Sequence, residues 1–249
     1  MIVANMATFP ARANVLMRAV HSISAQVDQL NIVLNEYQSV PDVLAKIKNV
    51  NAVIPHENTY DVGKFYVDSS QADFVFLVDD DISYPSDYVS KTTAVFKDLK
   101  LDHCVGGYHC SVYKKPQLGF SWYDIKRNLN YYLRPRQISR FREMHSCKKG
   151  TDRAVFVDQI GTGTAVMRGA DLPSYKQMRD GVKFTDIRLA KVCWERKIAM
   201  VCLPQPPGWI TIDDDIGSIY NTFTVKRPVH VANEIRSFAF KNPKAGMAV

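Results

Sequence analysis

Three consecutive carboxylates, Asp79, Asp80 and Asp81, follow directly on the apolar run at residues 74–78. Adjacent anionic side chains repel one another, and a divalent cation relieves that repulsion. If the chain stays extended, side-chain alternation puts Asp79 and Asp81 on one side and Asp80 on the other. A Mg²⁺ or Mn²⁺ ion held by one or two carboxylates completes its shell with substrate phosphates and water. The chemistry suggested is the handling of a phosphorylated donor. The same residues also suit a solvated loop in which Asp81 or Ser83 caps the helix beginning near Pro85.

The elements around the triplet alternate. Residues 2–7 read as a strand, stopped at Thr8-Phe9-Pro10. Val15, Leu16, Ala19, Val20, Ile23, Val27 and Leu30 then recur at helical spacing. Residues 32–34 form a short apolar run ended by Asn35-Glu36. Pro41 opens a short helix carrying Val43, Leu44 and Ile47, and residues 50–54 read as a strand. Residues 65–70 look helical, 74–78 strand, 85–99 helix and 104–108 strand. This pattern predicts an α/β fold, a mostly parallel sheet with helices on both faces in a single domain. Ligands of such sheets bind beyond the carboxyl ends of the strands. The polar residues there are Thr8, Arg12, Asn35, Glu36, His56 and Asp79 to Asp81. No Walker-type loop and no G-x-G-x-x-G follows the first strand, so a nucleotide would be held by other means.

Three stretches together resemble the GT-A-fold glycosyltransferases of the broad family-2-like kind. Residues 73–89, DFVFLVDDDISYPSDYV, are similar to that family's D-x-D region. Thr8-Phe-Pro-Ala-Arg12 with Leu16, Ala19, Ser22, Ile23 and Gln26 resembles its opening strand and nucleotide loop. Asp61-Val-Gly-Lys-Phe-Tyr66 resembles a segment of bacterial polysaccharide-type members, and Gly161-Thr-Gly-Thr164 the turn on the acceptor side. The resemblance spans about residues 1 to 200 and implies a Rossmann-like GT-A domain over 1–249. Residues 1–110 would bind the nucleotide-sugar and residues 111–249 the acceptor.

By the same resemblance, Thr8, Pro10, Arg12, Glu36, Asp61, Lys64, Asp79 and Asp80 are expected on the donor. Asp79 and Asp81 are expected on Mn²⁺ or Mg²⁺, with His230 or the second triplet Asp213-Asp214-Asp215 as a further ligand. Asp186 is expected as the base of an inverting transfer, with Asp158 and Asp180 as rivals. The family has Glu-Asp there, whereas this chain has Thr185-Asp186, and either residue also suits a helix cap. Gly163, Thr164 and Trp209 are expected near the acceptor. Trp209 suits core packing as well, and His230, between two valines, suits a packed or surface histidine.

The 249-residue chain has a formal charge of +7. Residues 114–153 hold 11 basic and 3 acidic residues, a net +8, so the remainder carries −1. Phe120, Trp122, Tyr123, Tyr131, Tyr132 and Phe141 interleave with these cations, and the segment shows no clean periodicity. Trp122, Arg134, Arg136 and Arg140 are therefore expected at an anionic acceptor. A bacterial surface or capsular glycan fits, as does DNA carrying hydroxymethylated bases. An anionic lipid surface fits the same composition, and so do snorkelling cations on a solvated excursion. A non-catalytic nucleotide-sugar or nucleic-acid binding module is the alternative from another class. Composition excludes disordered and fibrous chains. No apolar run approaches the ~20 residues of a membrane span, and no signal peptide is apparent. Five cysteines without C-x-x-C spacing point to reduced thiols and a cytoplasmic setting. Sugar, donor base and oligomeric state are not legible.

Overall fold

The computed structural model describes residues 1–116, 119–133, 135–212 and 228–249. In chain order the strands are β1 (Ile2–Thr8), β2 (Gln29–Leu34), β3 (Val50–Val53), β4 (Phe74–Val78), β5 (Ile82–Ser83), β6 (Cys104–Gly107), β7 (Cys110–Tyr113), β8 (Arg142–His145), β9 (Val155–Phe156), β10 (Gln159–Ile160), β11 (Thr164–Met167), β12 (Ala199–Cys202) and β13 (Thr211–Ile212). The helices are α1 (Ala13–Ser24), α2 (Asp42–Ala45), α3 (Tyr88–Asp98), α4 (Trp122–Leu133), α5 (Tyr175–Met178), α6 (Thr185–Glu195) and α7 (Val229–Phe238).

The main sheet has the order β3-β2-β1-β4-β11-β6-β12-β9. Pairings β1–β2, β1–β4, β2–β3 and β6–β12 are parallel, and the other three are antiparallel. Each side chain of β4 is buried because alternate residues enter two different cores. Val75 and Leu77 join the layer built with α6 and α7, through Ile187, Leu189, Ile235 and Phe238. Phe76 and Val78 join the layer built with α1 and α3, through Leu16, Val20, Tyr88 and Phe96. The mixed α/β architecture with helices on both faces is the one the sequence pattern predicts. The open, mostly parallel sheet with helices on both faces is Rossmann-like.

Strand order fixes where a ligand fits. From β1 the chain runs outward to β2 and β3, then returns across the sheet to β4 on the other side of β1. The crevice between the carboxyl ends of β1 and β4 is a topological switch point. Thr8 to Arg12 and Asp79 to Asp81 are the residues that leave those two ends.

Three local expectations change. Residues 65–70 are not helical; the helical turn there is a 3-10 segment, Tyr60–Phe65, with Val62, Gly63, Lys64 and Phe65 buried. Helix α1 stops at Ser24, because Leu30 is drawn into β2 opposite Ala4. Helix α3 starts at Tyr88 with Asp87 in the cap position, so neither Asp81 nor Ser83 caps it.

Candidate active site

The side chains at the switch point are locked by charge. The Arg12 guanidinium donates to Asp80 Oδ1 at 2.6 Å and to Asp81 Oδ2 at 2.8 Å. Lys64, itself buried, pairs with Asp79 and donates to Thr162 Oγ1 at 3.3 Å. Asp80 is almost wholly buried, which pushes its carboxyl pKa up against the opposing pull of Arg12. Burial and the neighbouring Asp79 push Asp81 up to about 6. Two protein cations therefore leave excess negative character on this wall.

Within the triplet Asp81 lines only the cleft, Asp80 only the recess, and Asp79 both. Asp79 and Asp81 face a cleft shared with His109, Thr162 and Asp186. Asp80 faces a second recess with Thr8, Phe9, Asn35, Glu36 and Tyr60. The cleft measures about 450 Å³ and the recess about 300 Å³. Arg12, Asp61, Lys64, Asp79 and Lys183 line both. A larger pocket of about 520 Å³ lies at the amino-terminal end of β12 and is lined mainly by apolar groups such as Phe156, Ala190, Trp194 and Met200. It lacks the convergent polar groups of the cleft.

Asp186 arrives from the opposite wall. It sits in the first turn of α6, and its Oδ1 accepts the Thr162 backbone N–H at 2.8 Å and the Thr162 hydroxyl at 2.9 Å. Thr162 thus lies between the Lys64 ammonium and Asp186. The cap of α6 comes from elsewhere: Asp61 accepts the Lys183 N–H at 2.7 Å and the Thr185 N–H at 3.4 Å. Helix capping therefore does not account for Asp186. Burial raises the pKa of Asp61, opposed by those hydrogen bonds and by Lys64.

The Gly161–Thr164 turn closes the floor. A Cβ on Gly163 would stand 1.9 Å from Asp79 Oδ2, so only glycine lets that carboxylate lie where it does. Tyr84 fastens the same corner, donating to the Gly163 carbonyl at 2.7 Å and accepting the Asp79 N–H at 2.8 Å. Gly163→Ala is expected to swing Asp79 off Lys64 and cost about 1–3 kcal/mol in urea denaturation. The control Gly161→Ala, whose Cβ would come no closer than 3.3 Å to the His109 carbonyl, is expected to be milder. Thr164 is buried, and its hydroxyl accepts the Tyr108 and His109 N–H groups at 3.2 and 3.3 Å.

Other expected residues lie elsewhere. Pro10 opens the 3-10 turn Pro10–Arg12 that delivers Arg12. Trp209 packs against Tyr88 and Tyr108 with ring centroids 5.7 and 5.3 Å away, and its indole N–H donates to Asp87 at 3.0 Å; it does not line the cleft. His230 is an exposed residue of α7 whose ring is 5.4 Å from Phe184, and it lines neither cleft nor recess. Trp122, Arg136 and Arg140 are exposed and also outside the cleft lining, whereas Ser139, Arg142 and Met144 are within it. Arg134 and Asp213 to Asp215 fall outside the described residues. Asp180 is exposed in a 3-10 turn, and Asp158 lines the apolar pocket.

Burial raises the Asp158 pKa to about 6, against the single hydrogen bond from the Tyr113 N–H at 2.7 Å. A carboxyl whose folded-state pKa is raised favours the native state at low pH and loses that contribution as pH climbs from about 4 to 6. Asp158→Asn is expected to be about 2–3 kcal/mol more stable than wild type at pH 7 and to match it near pH 3.5. Urea titrations at the two pH values check this.

His109, Cys147, Tyr60 and Lys183 are not among the residues expected from the sequence. Cys147 Sγ lies in contact with His109 Nδ1 at 4.0 Å, and burial lowers the His109 pKa. His109 follows β6 and was accessible by the strand-end rule. Tyr60 and Lys183 are less visible. Both adopt the left-handed conformation, as does Glu36, with φ of 49°, 70° and 63°. The Lys183 ammonium lies 4.8 Å from the Tyr60 ring centre. Three such backbone outliers around one recess are the kind of strain that functional sites hold.

No protein-family model and no curated protein matches this chain. Among solved structures, residues 1–349 of S. aureus TarS in complex with UDP-GlcNAc share the fold, with a TM-score of 0.51 and 11% identity over 96% of this chain and 68% of that one. The crystal structure of S. aureus TarS 1–349 gives 0.46 and 13%, over 83% of this chain and 58% of that one. A mycobacterial protein gives 0.44 and 16%, over 82% of this chain and 64% of that one. The chain thus spans 58% to 68% of the length of these structures.

Asp79 and Asp81 are hard carboxylates on one cleft wall, a donor type that suits a small divalent cation, and each is paired here with a protein cation, Lys64 and Arg12, that such an ion would have to share or displace. Among the described residues no group of three or more His, Cys, Asp or Glu is gathered to hold a metal alone. Such an ion would complete its shell with water and phosphate oxygen.

Proposed function

We propose that the protein is a glycosyltransferase that moves a sugar from a nucleotide-sugar to a hydroxyl of an anionic acceptor, a bacterial surface or capsular glycan. The observation that carries this reading is the meeting of Asp79 and Asp81 with Asp186 across one cleft at the switch point, linked by Lys64 and Thr162. The shared fold with a UDP-GlcNAc-bound structure supports it.

The recess receives the nucleoside. Phe9 and Tyr60 offer ring faces for a base, and Glu36 and Asn58 offer polar atoms for a ribose. Where recess joins cleft, Lys64 and Lys183 face the diphosphate. Asp79 and Asp81 would hold a Mn²⁺ or Mg²⁺ ion, which would supply Lewis-acid stabilisation for the leaving diphosphate. Asp186 takes the proton of the acceptor hydroxyl as that oxygen attacks the anomeric carbon from the side opposite the leaving group, which inverts the centre. The acceptor enters past Ser139, Arg142 and Met144, where Arg142 meets its negative charge.

Calorimetric titration of nucleoside diphosphates with Mn²⁺ or Mg²⁺ tests the donor half of this reading. Micromolar, cation-dependent binding of one of them, lost in Asp81→Ala, is expected. Absence of cation-dependent binding across UDP, GDP, CDP, ADP and dTDP sinks it.

A further inference from the structure

Helix α4 is turned the wrong way round for a soluble surface. Its inner face is made of Asp124, Asn128 and Tyr131, with Tyr131 packed edge-on against Phe141 and Phe240 at 5.1 and 5.7 Å. Its outer face carries Trp122, Ile125, Leu129, Tyr132 and Leu133, which are 80%, 48%, 56%, 72% and 68% exposed. At 100° per residue these five fall within one arc of about 100°, a continuous apolar stripe. Phe120, immediately before the helix, is fully exposed as well. An apolar stripe of this kind on a folded surface marks a place where something else sits.

We propose that α4 docks the protein on an anionic lipid bilayer, lying flat with its stripe in the boundary between headgroups and acyl chains. Charge selects this occupant. The stripe lies within residues 114–153, which hold all of the chain's excess positive charge at +8, and Lys126, Arg136, Arg140, Lys148 and Lys149 are exposed. A second copy docking stripe to stripe would bring +8 against +8. Nucleic acid accepts cations and ring faces but has no counterpart for Ile125, Leu129 and Leu133. An anionic bilayer accepts all three: aliphatic groups in its acyl region, aromatic rings at the boundary and cations among the headgroups. No described helix is long and apolar enough to cross a membrane, so the contact is with one leaflet. Position agrees with use. The chain leaving α4 runs through the 3-10 segment Pro135–Arg140 into β8, and Ser139, Arg142 and Met144 of that run line the cleft. Docking would set the cleft mouth close to the membrane surface. The inference does not depend on the reaction proposed above.

Vesicle flotation tests it, with phosphatidylcholine alone and with phosphatidylcholine mixed with phosphatidylglycerol. The wild-type chain is expected to float with the mixed vesicles, to stay behind with phosphatidylcholine, and to release at high salt. Leu129→Glu combined with Leu133→Glu, both on the exposed stripe, is expected to lower the bound fraction at least about tenfold with an unchanged melting temperature. Lys126→Glu with Arg136→Glu is expected to lower it as well. Failure of the wild type to float with the mixed vesicles overturns the proposal. So does flotation untouched by the leucine variant, a dimer in ultracentrifugation that the leucine variant dissociates, or a duplex-DNA gel shift that it abolishes.

Discussion

Asp186→Asn is expected to lower kcat for sugar transfer by about 10²–10⁴-fold, with donor affinity and stability nearly unchanged. Asp186 Oδ1 accepts two hydrogen bonds from Thr162, and an asparagine amide oxygen can accept both, more weakly than a carboxylate does. The Asp61 cap on the start of α6 is untouched by the change. What the amide loses is the capacity to take a proton. The structural alternative, in which Asp186 serves only to hold the Gly161–Thr164 turn, predicts wild-type kcat for the asparagine variant and loss of stability for alanine. Measuring kcat and KM for both variants beside their urea midpoints separates the two.

Arg12→Ala is the second large effect, and it falls on stability. Arg12 is nearly buried, at 11% side-chain exposure, and among the described residues it bridges Asp80 at 4% and Asp81 at 26%. Removing it leaves two carboxylates facing each other and Asp79 with the cation gone. Breaking a buried pair from one side costs about 3–5 kcal/mol. The sign with pH follows. Both carboxyls already have raised pKa values, Asp81 at about 6, and without Arg12 they are driven higher. The variant is therefore expected to be least stable above pH 7 and to recover as pH falls and the groups protonate. Adding Asp80→Asn is expected to restore a large part of the loss at neutral pH. An Arg12→Ala variant within about 0.5 kcal/mol of wild type would show that the guanidinium is not the clamp described.

The acidic wall at the end of β4 was legible because its signals are local. An apolar run that ends in charge is visible at Val78-Asp79, and sheet topology turns that into a site once β1 and β4 are adjacent. Lys64 and Asp186 also stood out, yet their relation to each other did not. The Lys64–Thr162–Asp186 chain spans residues far apart in sequence and is made by the antiparallel placement of β11 beside β4. Asp61 was expected on the donor and is found holding α6. No pattern in the sequence says which remote helix end a carboxylate will reach. Trp209 followed its packing alternative because Tyr88 and Tyr108 supply a ring-lined seat. Charges and rings mixed along the basic segment show no common period. Its apolar residues are periodic, but they face outward, the reverse of what a core helix requires. Charge totals were sufficient to find the segment and could not orient it.

Turnover of a nucleotide-sugar in this cleft is the reaction proposed. Release of nucleoside diphosphate from a panel of UDP-, GDP-, CDP-, ADP- and dTDP-sugars, measured with and without Mn²⁺ or Mg²⁺, tests it most directly. Cation-dependent release from one donor, abolished by Asp81→Ala and strongly reduced by Asp186→Asn, is the predicted result. No release from any donor with either cation, or release that both variants retain, would contradict it.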